Sequence, residues 1–330
     1  MKAILQLSLT AFAAAALSVT AWAQGIEYNK IEIITSQISP NLYILSGSAG
    51  VDPGHQDAAG GRIGVLAGPD GIFMVDAQYA QLTDKILAAI KKISSGPIRF
   101  MANTHIHGDH TAGNANFAKM GVTILAREEL RERMVHPAPL ANGNPAPPRD
   151  PANFPVITYG MGAAVSGLGT PVKIHMNGET VHLIPVYAAH TGGDTMIRFE
   201  NANVIMIGDF YRDFGYPFID IANGGSLNGM LEGLDGLMKF AAPDTTLIPG
   251  HGEIIKRAAL VPYRDMIVAV RDKVKQMIAQ GRTQQEVVAA KLTAPYDAKV
   301  PGGNLPAGAT QTSAERFVAE VYQELKRVTK

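Results

Sequence analysis

The sequence predicts an α/β chain in which short strands alternate with helices, and three observations point that way. Short apolar runs bounded by Gly, Pro, Asn and Asp recur along the chain. Stretches with apolar residues at helical spacing lie between them. Histidine or aspartate stands at the end of several of the apolar runs. With 330 residues, 46% hydrophobic and 18% charged, the chain can bury a sizeable core, as one large domain or two small ones.

The elements follow in order. Runs at 42–45, 63–67 and 72–76 read as strands, with Gly68-Pro69-Asp70-Gly71 as the turn between the last two. Leu82, Ile86, Leu87, Ala89, Ile90 and Ile93 share one face of a helix over 82–93. A strand at 98–102 leads into a histidine cluster; a helix at 112–120, a strand at 122–126 and a helix at 128–135 come next. Residues 136–155 are rich in Pro, Asn and Ala and form a long surface loop, a binding lid or an inserted segment. Strands resume at 172–176, 180–185, 196–199 and 204–207, followed by a helix at 227–240 and a strand at 246–248. The remainder is helical: 260–279, a helix opening at Gln284 behind the capping box Thr283/Glu286, and 314–328. No internal repeat interrupts this order.

Residues 1–23 have a different composition. Lys2 precedes an apolar run over 3–19, and Ala21-Trp22-Ala23 supplies the small-x-small pattern of a signal-peptide cleavage site. The expectation is a periplasmic or secreted protein beginning near Gln24, with no stable membrane insertion after cleavage. No cysteine follows the apolar run, which excludes a lipid-attachment site there, and none exists anywhere in the chain. Disulfides are therefore excluded, and any metal site must be built from His, Asp and Glu. Lys plus Arg and Asp plus Glu number 29 each, so no net field favours nucleic acid; the expected partner is a small-molecule substrate. The oligomeric state is not legible.

The segment that carries chemistry is Thr104-His105-Ile106-His107-Gly108-Asp109-His110. Alternation at a strand end puts His105 and His107 on one side, and the turn through Gly108 brings Asp109 and His110 back toward a second point. Imidazole nitrogen with an added carboxylate oxygen suits Zn²⁺ or another divalent metal. The structural alternative, helix-capping or surface histidines, does not account for four such groups within six residues.

His105-x-His107-x-Asp109-His110 resembles the H-x-H-x-D-H signature of the metallo-β-lactamase fold. The rest of that family's ligand set follows in order: His190 in Ala189-His190-Thr191-Gly192-Gly193, Asp209 after the strand 204–207, and His251 in Pro249-Gly250-His251-Gly252. The resemblance implies a four-layer αβ/βα sandwich over 24–330, helical from about 259. It implies two Zn²⁺, with His105, His107 and His190 on one, Asp109, His110 and His251 on the other, and Asp209 bridging. A metal-bridging hydroxide would then attack the substrate, with Asp109 and Asp209 as the residues able to handle its proton.

Within that family, the substrate is an open question. Asp at 209 is the pattern of thioesterases, lactonases and phosphodiesterases, whereas zinc β-lactamases carry Cys or Ser there. The leading expectation is hydrolysis of a small ester, lactone, thioester or amide. Alternatives are a β-lactamase acting on antibiotics, a phosphodiesterase, and a non-catalytic zinc-binding protein. A diiron oxidoreductase on the same fold is disfavoured by His107, where that branch has Glu. Arg212, three residues past Asp209, and Tyr216 are the candidate substrate contacts. Asp76 and Asp194 are placed either to orient a ligand imidazole or to cap a turn. His55 sits in a polar loop beside the expected groove; His136, His175 and His182 carry no expected role.

Overall fold

The computed structural model describes residues 25–140, 143–300 and 311–328. The expected signal segment lies outside the described residues. Two sheets form the centre. The first holds seven strands in chain order: β1 (Ile33–Ser39), β2 (Leu42–Gly47), β3 (Ile63–Gly68), β4 (Gly71–Val75), β5 (Ile98–Ala102), β6 (Thr123–Arg127) and β7 (Ile157–Tyr159). The second holds six: β8 (Val172–Met176), β9 (Glu179–Pro185), β10 (Thr195–Phe199), β11 (Val204–Gly208), β12 (Thr246–Pro249) and β13 (Ile255–Lys256), in spatial order β13-β12-β11-β10-β9-β8.

Side-chain alternation builds the layers. Along β4, Phe73 and Val75 point into one apolar cluster and Ile72 and Met74 into another. Phe73 and Val75 meet Val204, Met206 and Ile248 of the second sheet, so this cluster lies between the sheets. Ile72 and Met74 pack with Ile86, Ala89 and Ile90 of α1 (Thr83–Ile93) and with Phe117 of α3 (Asn114–Ala118). On the far side, Ile205, Ile207 and Leu247 face α5 (Leu227–Phe240), α6 (Leu260–Ala279) and α8 (Ser313–Val328). Helices, sheet, sheet and helices make four layers, as the resemblance implies.

Most elements fall where the spacing predicts, α4 (Glu128–Val135) among them. The expected helix over 112–120 differs: two short helices, α2 (Gly108–Thr111) and α3, meet at Gly113. The backbone of Gly113 runs so close to Ala77 that a Cβ there would lie 2.4 Å from its carbonyl oxygen. β1 is an addition, an edge strand with no buried side chain and hence no alternating apolar signal. Among the described residues of 136–156 there is no regular element beyond a turn at Pro151–Asn153. Asn153 ties that turn to α3, accepting from Asn114 Nδ2 at 3.0 Å and from the Ala115 N–H at 3.1 Å. Thr283 and Glu286 form the expected capping box of α7 (Gln284–Ala289).

The strand ends place the chemistry. β4 and β5 run parallel, as do β11 and β12. Asp76 follows β4, Thr104 and His105 follow β5, Asp209 follows β11 and His251 follows β12. The carboxyl ends of parallel strands thus open on one groove, a usual location for sites in α/β sheets.

Candidate metal centre

His105, His107 and His190 form one group, and Asp109, His110, Asp209 and His251 a second; in each, the ligand-type atoms lie within 4.8 Å of one another. All seven residues expected from the sequence are brought together. Asp209 stands between the groups. Its Oδ1 is 3.3 Å from His110 Nε2, and its Oδ2 is 3.5 Å from His251 Nε2, 3.9 Å from His190 Nε2 and 4.0 Å from His105 Nε2. Asp109 Oδ2 lies 2.9 Å from His251 Nε2 and 3.5 Å from His110 Nε2.

Outer hydrogen bonds determine which imidazole nitrogen faces inward. Asp76, 1% exposed, accepts from the Thr104 N–H at 2.7 Å and from its hydroxyl at 2.6 Å. With its proton committed, Thr104 Oγ1 accepts from His105 Nδ1 at 3.1 Å, which leaves Nε2 to the centre. The same Asp76 carboxylate accepts from His110 Nδ1 at 2.8 Å, again leaving Nε2 inward. His190 Nδ1 donates to the Phe218 carbonyl at 2.7 Å, and His107 Nε2 donates to Asp220 Oδ2 at 2.8 Å. His107 Nδ1 and His190 Nε2 then face each other at 2.9 Å. Two lone pairs at that distance repel unless a proton or a cation lies between them.

The donor set fits divalent cations. His105 Nε2, His110 Nε2 and Asp209 Oδ1 are buried with no hydrogen-bond partner among the described residues. Such groups cost free energy unless something satisfies them, and imidazole nitrogen with carboxylate oxygen suits zinc. Burial alone would raise the carboxyls of Asp109 and Asp209; the imidazoles around them outweigh it and hold both well below the usual range. Burial, reinforced by His107, pulls His190 down to about 3, so it stays neutral and its lone pair free.

Local backbone is fitted to this. Arg62 Nη1 donates to the Pro249 carbonyl at 2.9 Å and Nη2 to that of Gly252, spanning the turn that carries His251. A Cβ at Gly250 would lie 2.1 Å from Asp209 Oδ1, so the turn needs glycine for the close approach.

Several residues are assigned here beyond the expected set. Asp220 and the Phe218 carbonyl hold the imidazoles of His107 and His190; both lie in a segment whose sequence shows no metal-ligand spacing. His55 stacks on His251 with centroids 3.9 Å apart, and its Nε2 is 3.5 Å from Asp109 Oδ2. Its polar loop was the one signal for it. Of the two aspartates with open roles, Asp76 orients His110 directly and His105 through Thr104, whereas Asp194 accepts from the Thr191 N–H at 2.9 Å and from its hydroxyl, capping the turn after His190.

The groove beside the centre has a volume of about 280 Å³, with His107, Asp109 and Asp209 on its floor and Arg212, Phe218 and Arg316 among its walls. Arg212 lines this groove. Tyr216 does not: it is fully buried, stacks on Phe317, and its hydroxyl donates to the Thr293 carbonyl at 3.0 Å. The large apolar ring is worth more in the core than at a groove wall. His136, His175 and His182 lie away from the site, paired with Glu132, Thr180 and Glu200.

A family model for the metallo-beta-lactamase superfamily matches residues 58–251, a span containing all seven residues of the two groups. No curated protein matches the chain. Among solved structures, a metallo-beta-lactamase from Pontibacter korlensis is similar with a TM-score of 0.56 and 14% identity, covering 72% of this chain and 99% of that one. The DIM-1 metallo-beta-lactamase is similar with a TM-score of 0.53 and 15% identity, covering 72% and 98%. At these identities the structural likeness speaks for the fold. The chain belongs to the metallo-beta-lactamase superfamily, a hydrolase family, and carries a candidate His/Asp metal site in its groove.

Proposed function

We propose that the protein is a dinuclear zinc hydrolase that cleaves a small ester, lactone, thioester or amide. The observation that carries this reading is the inward-facing set of imidazole nitrogens and carboxylate oxygens in two groups with Asp209 between them. His105, His107 and His190 would hold one cation, Asp109, His110 and His251 the other, and Asp209 both. Bound there, two divalent cations supply Lewis acidity and make water a nucleophile near neutral pH, without a serine or cysteine.

The chain's own residues do the rest. Asp76 and Asp220 fix the tautomers of His110 and His107. Asp109, half-buried at the groove floor and held ionised, is the group placed to take a proton from water and pass it to the leaving group. Asp209 is the second such carboxylate. Tyr28, Tyr79 and Phe218 keep part of the groove wall apolar and exclude water from a bound substrate.

Metal analysis of the purified protein, joined to a panel of esters, lactones, thioesters and amides, tests the proposal. Two zinc equivalents with turnover of at least one class supports it; full zinc without any turnover refutes the catalytic part. A β-lactamase activity is the second reading, favoured by the names of the similar structures and disfavoured by Asp209. Nitrocefin turnover decides between them. Periplasmic or secreted location, with residues 24–330 as the catalytic unit, is part of the proposal; N-terminal sequencing of the exported protein should begin near Gln24.

A further inference from the structure

The segment from Tyr216 to Leu227 supplies two outer contacts of the metal centre, the Phe218 carbonyl on His190 Nδ1 and the Asp220 carboxylate on His107 Nε2. Both imidazoles belong to the group of His105, His107 and His190. Before α5 opens, the segment has no regular element beyond a turn at Ile221–Asn223, so its neighbours fix its course. On one side lies the turn of His190: the Asp220 N–H donates to the His190 carbonyl and the Ser226 N–H to that of Ala189, each at 2.9 Å. On the other side lies α8.

α8 meets the segment through a polar stripe. Ser313, Arg316, Glu320 and Glu324 are spaced by three, four and four residues, which puts them on one face of the helix. Next to that stripe, Phe317, Val318 and Val321 are buried in the core with side chains of α5 and α6. All four polar side chains bond to the segment. Ser313 Oγ accepts from the Tyr216 N–H at 3.2 Å, and Arg316 Nη2 donates to the Tyr216 carbonyl at 3.5 Å. Arg316 also lies over the Phe218 ring, 4.5 Å from its centroid. Glu320 Oε2 accepts from the Ile219 N–H at 2.9 Å. Glu324 accepts from the Ser226 hydroxyl at 2.8 Å and from the Leu227 N–H, which puts a carboxylate at the start of α5.

The bond to Ile219 is the most telling. Ile219 stands between the two residues that hold His190 and His107, and it is fully buried, so without Glu320 its N–H would lose its acceptor away from water. The second group of donors is oriented from elsewhere: Asp76 holds His110, and Arg62 spans the turn of His251. The family match over 58–251 contains every ligand-type residue but not α8.

We propose that α8 is part of one half of the metal centre. Glu320 and Glu324 are positioning residues: acting through Phe218 and Asp220, they set the cation affinity of His105, His107 and His190, with little effect on that of Asp109, His110 and His251. The proposal rests on the two-cation reading above.

Zinc competition with a chromophoric chelator on the full chain tests it. E320A/E324A should weaken one of two sites about tenfold and the other less than about threefold. E320Q/E324Q, which keeps an acceptor oxygen at each position, should recover part of the loss. I86A, a truncation on the buried face of α1 against the first sheet, controls for lost stability and should spare both sites. A loss below about twofold, an equal loss at both sites, or the same selective loss in I86A overturns the proposal. Should E320A/E324A fail to fold, the wild type decides by reciprocity, since a helix that strengthens zinc binding is itself strengthened by zinc. Amide hydrogen exchange in α8 should then slow on zinc loading more than in α1; equal slowing, or none, overturns the proposal. A wild type with fewer than two zinc equivalents refutes the two-cation reading and the proposal with it. Two equivalents with an unselective loss refute the proposal alone.

Discussion

Replacing Asp220 by asparagine removes a charge from the metal centre while keeping an oxygen in the same place. Asp220 Oδ2 accepts from His107 Nε2 at 2.8 Å, and the carboxylate is anchored by the Asn223 N–H at 3.0 Å and Asn223 Nδ2 at 2.7 Å. It is 5% exposed, so solvent does not screen the interaction. An asparagine oxygen can still accept from His107, which exchanges a charge-assisted hydrogen bond for a neutral one. The first kind is worth about 1.5–3 kcal/mol and the second about 0.5–1.5 kcal/mol, a loss on the order of 1–2 kcal/mol. That corresponds to roughly five- to thirtyfold in affinity at the site of His105, His107 and His190, in the range expected of partners that orient metal ligands. Zinc competition with a chromophoric chelator should show one of two sites weakened and the other little changed. Unchanged affinity at both sites would show that His107 does not depend on Asp220 and would refute the tautomer argument.

Other perturbations test other parts. Asp76→Ala strips three buried hydrogen bonds, to the Thr104 N–H, the Thr104 hydroxyl and His110. It also leaves alanine at a φ of 59°; a loss of about 3 kcal/mol or more in urea unfolding is expected, with zinc content reduced. Gly250→Ala drives a methyl toward Asp209 Oδ1 and His110 and should cost about 1–3 kcal/mol together with a lower zinc stoichiometry; a normal zinc content speaks against the tight fit of the turn. Glu320 binds its proton more tightly folded, near pH 8, than its ordinary value of 4.5. The folded state therefore holds more protons between those values, and this group's contribution to stability declines as pH rises from 4.5 to 8. Glu320→Gln should flatten that decline in chevron or thermal measurements; an unaltered pH slope contradicts it.

The parts of this architecture legible in the sequence are those with a local cause. Residues 227–240 and 260–279 form helices α5 and α6 with the predicted bounds because their apolar faces repeat at helical spacing and Ser226 caps the first. The cluster from His105 to His110 was legible from its spacing at a strand end, whereas His190, Asp209 and His251 were legible through the resemblance to the family's ligand order. Non-local causes hid the remainder. The break at Gly113 is set by the approach of Ala77, 36 residues earlier in the chain, and β1 pairs along its edge without burying a side chain. Asp220 lies 113 residues from the imidazole it orients, and Arg316 reaches the groove only because α8 packs across the loop before α5. Glu324 fastens that packing, accepting from the Ser226 hydroxyl at 2.8 Å and from the Leu227 N–H. Tyr216 shows the converse error, since proximity to Asp209 in sequence did not bring its ring to the groove.

The central claim is that the two groups of donors converge on a pair of cations with Asp209 between them. Crystals of the zinc-loaded protein, measured on both sides of the zinc absorption edge, test it most directly. Two anomalous peaks are predicted, one among His105, His107 and His190 and one among Asp109, His110 and His251, each within bonding distance of an Asp209 oxygen. A single peak, or an Asp209 carboxylate turned away from both, contradicts the account.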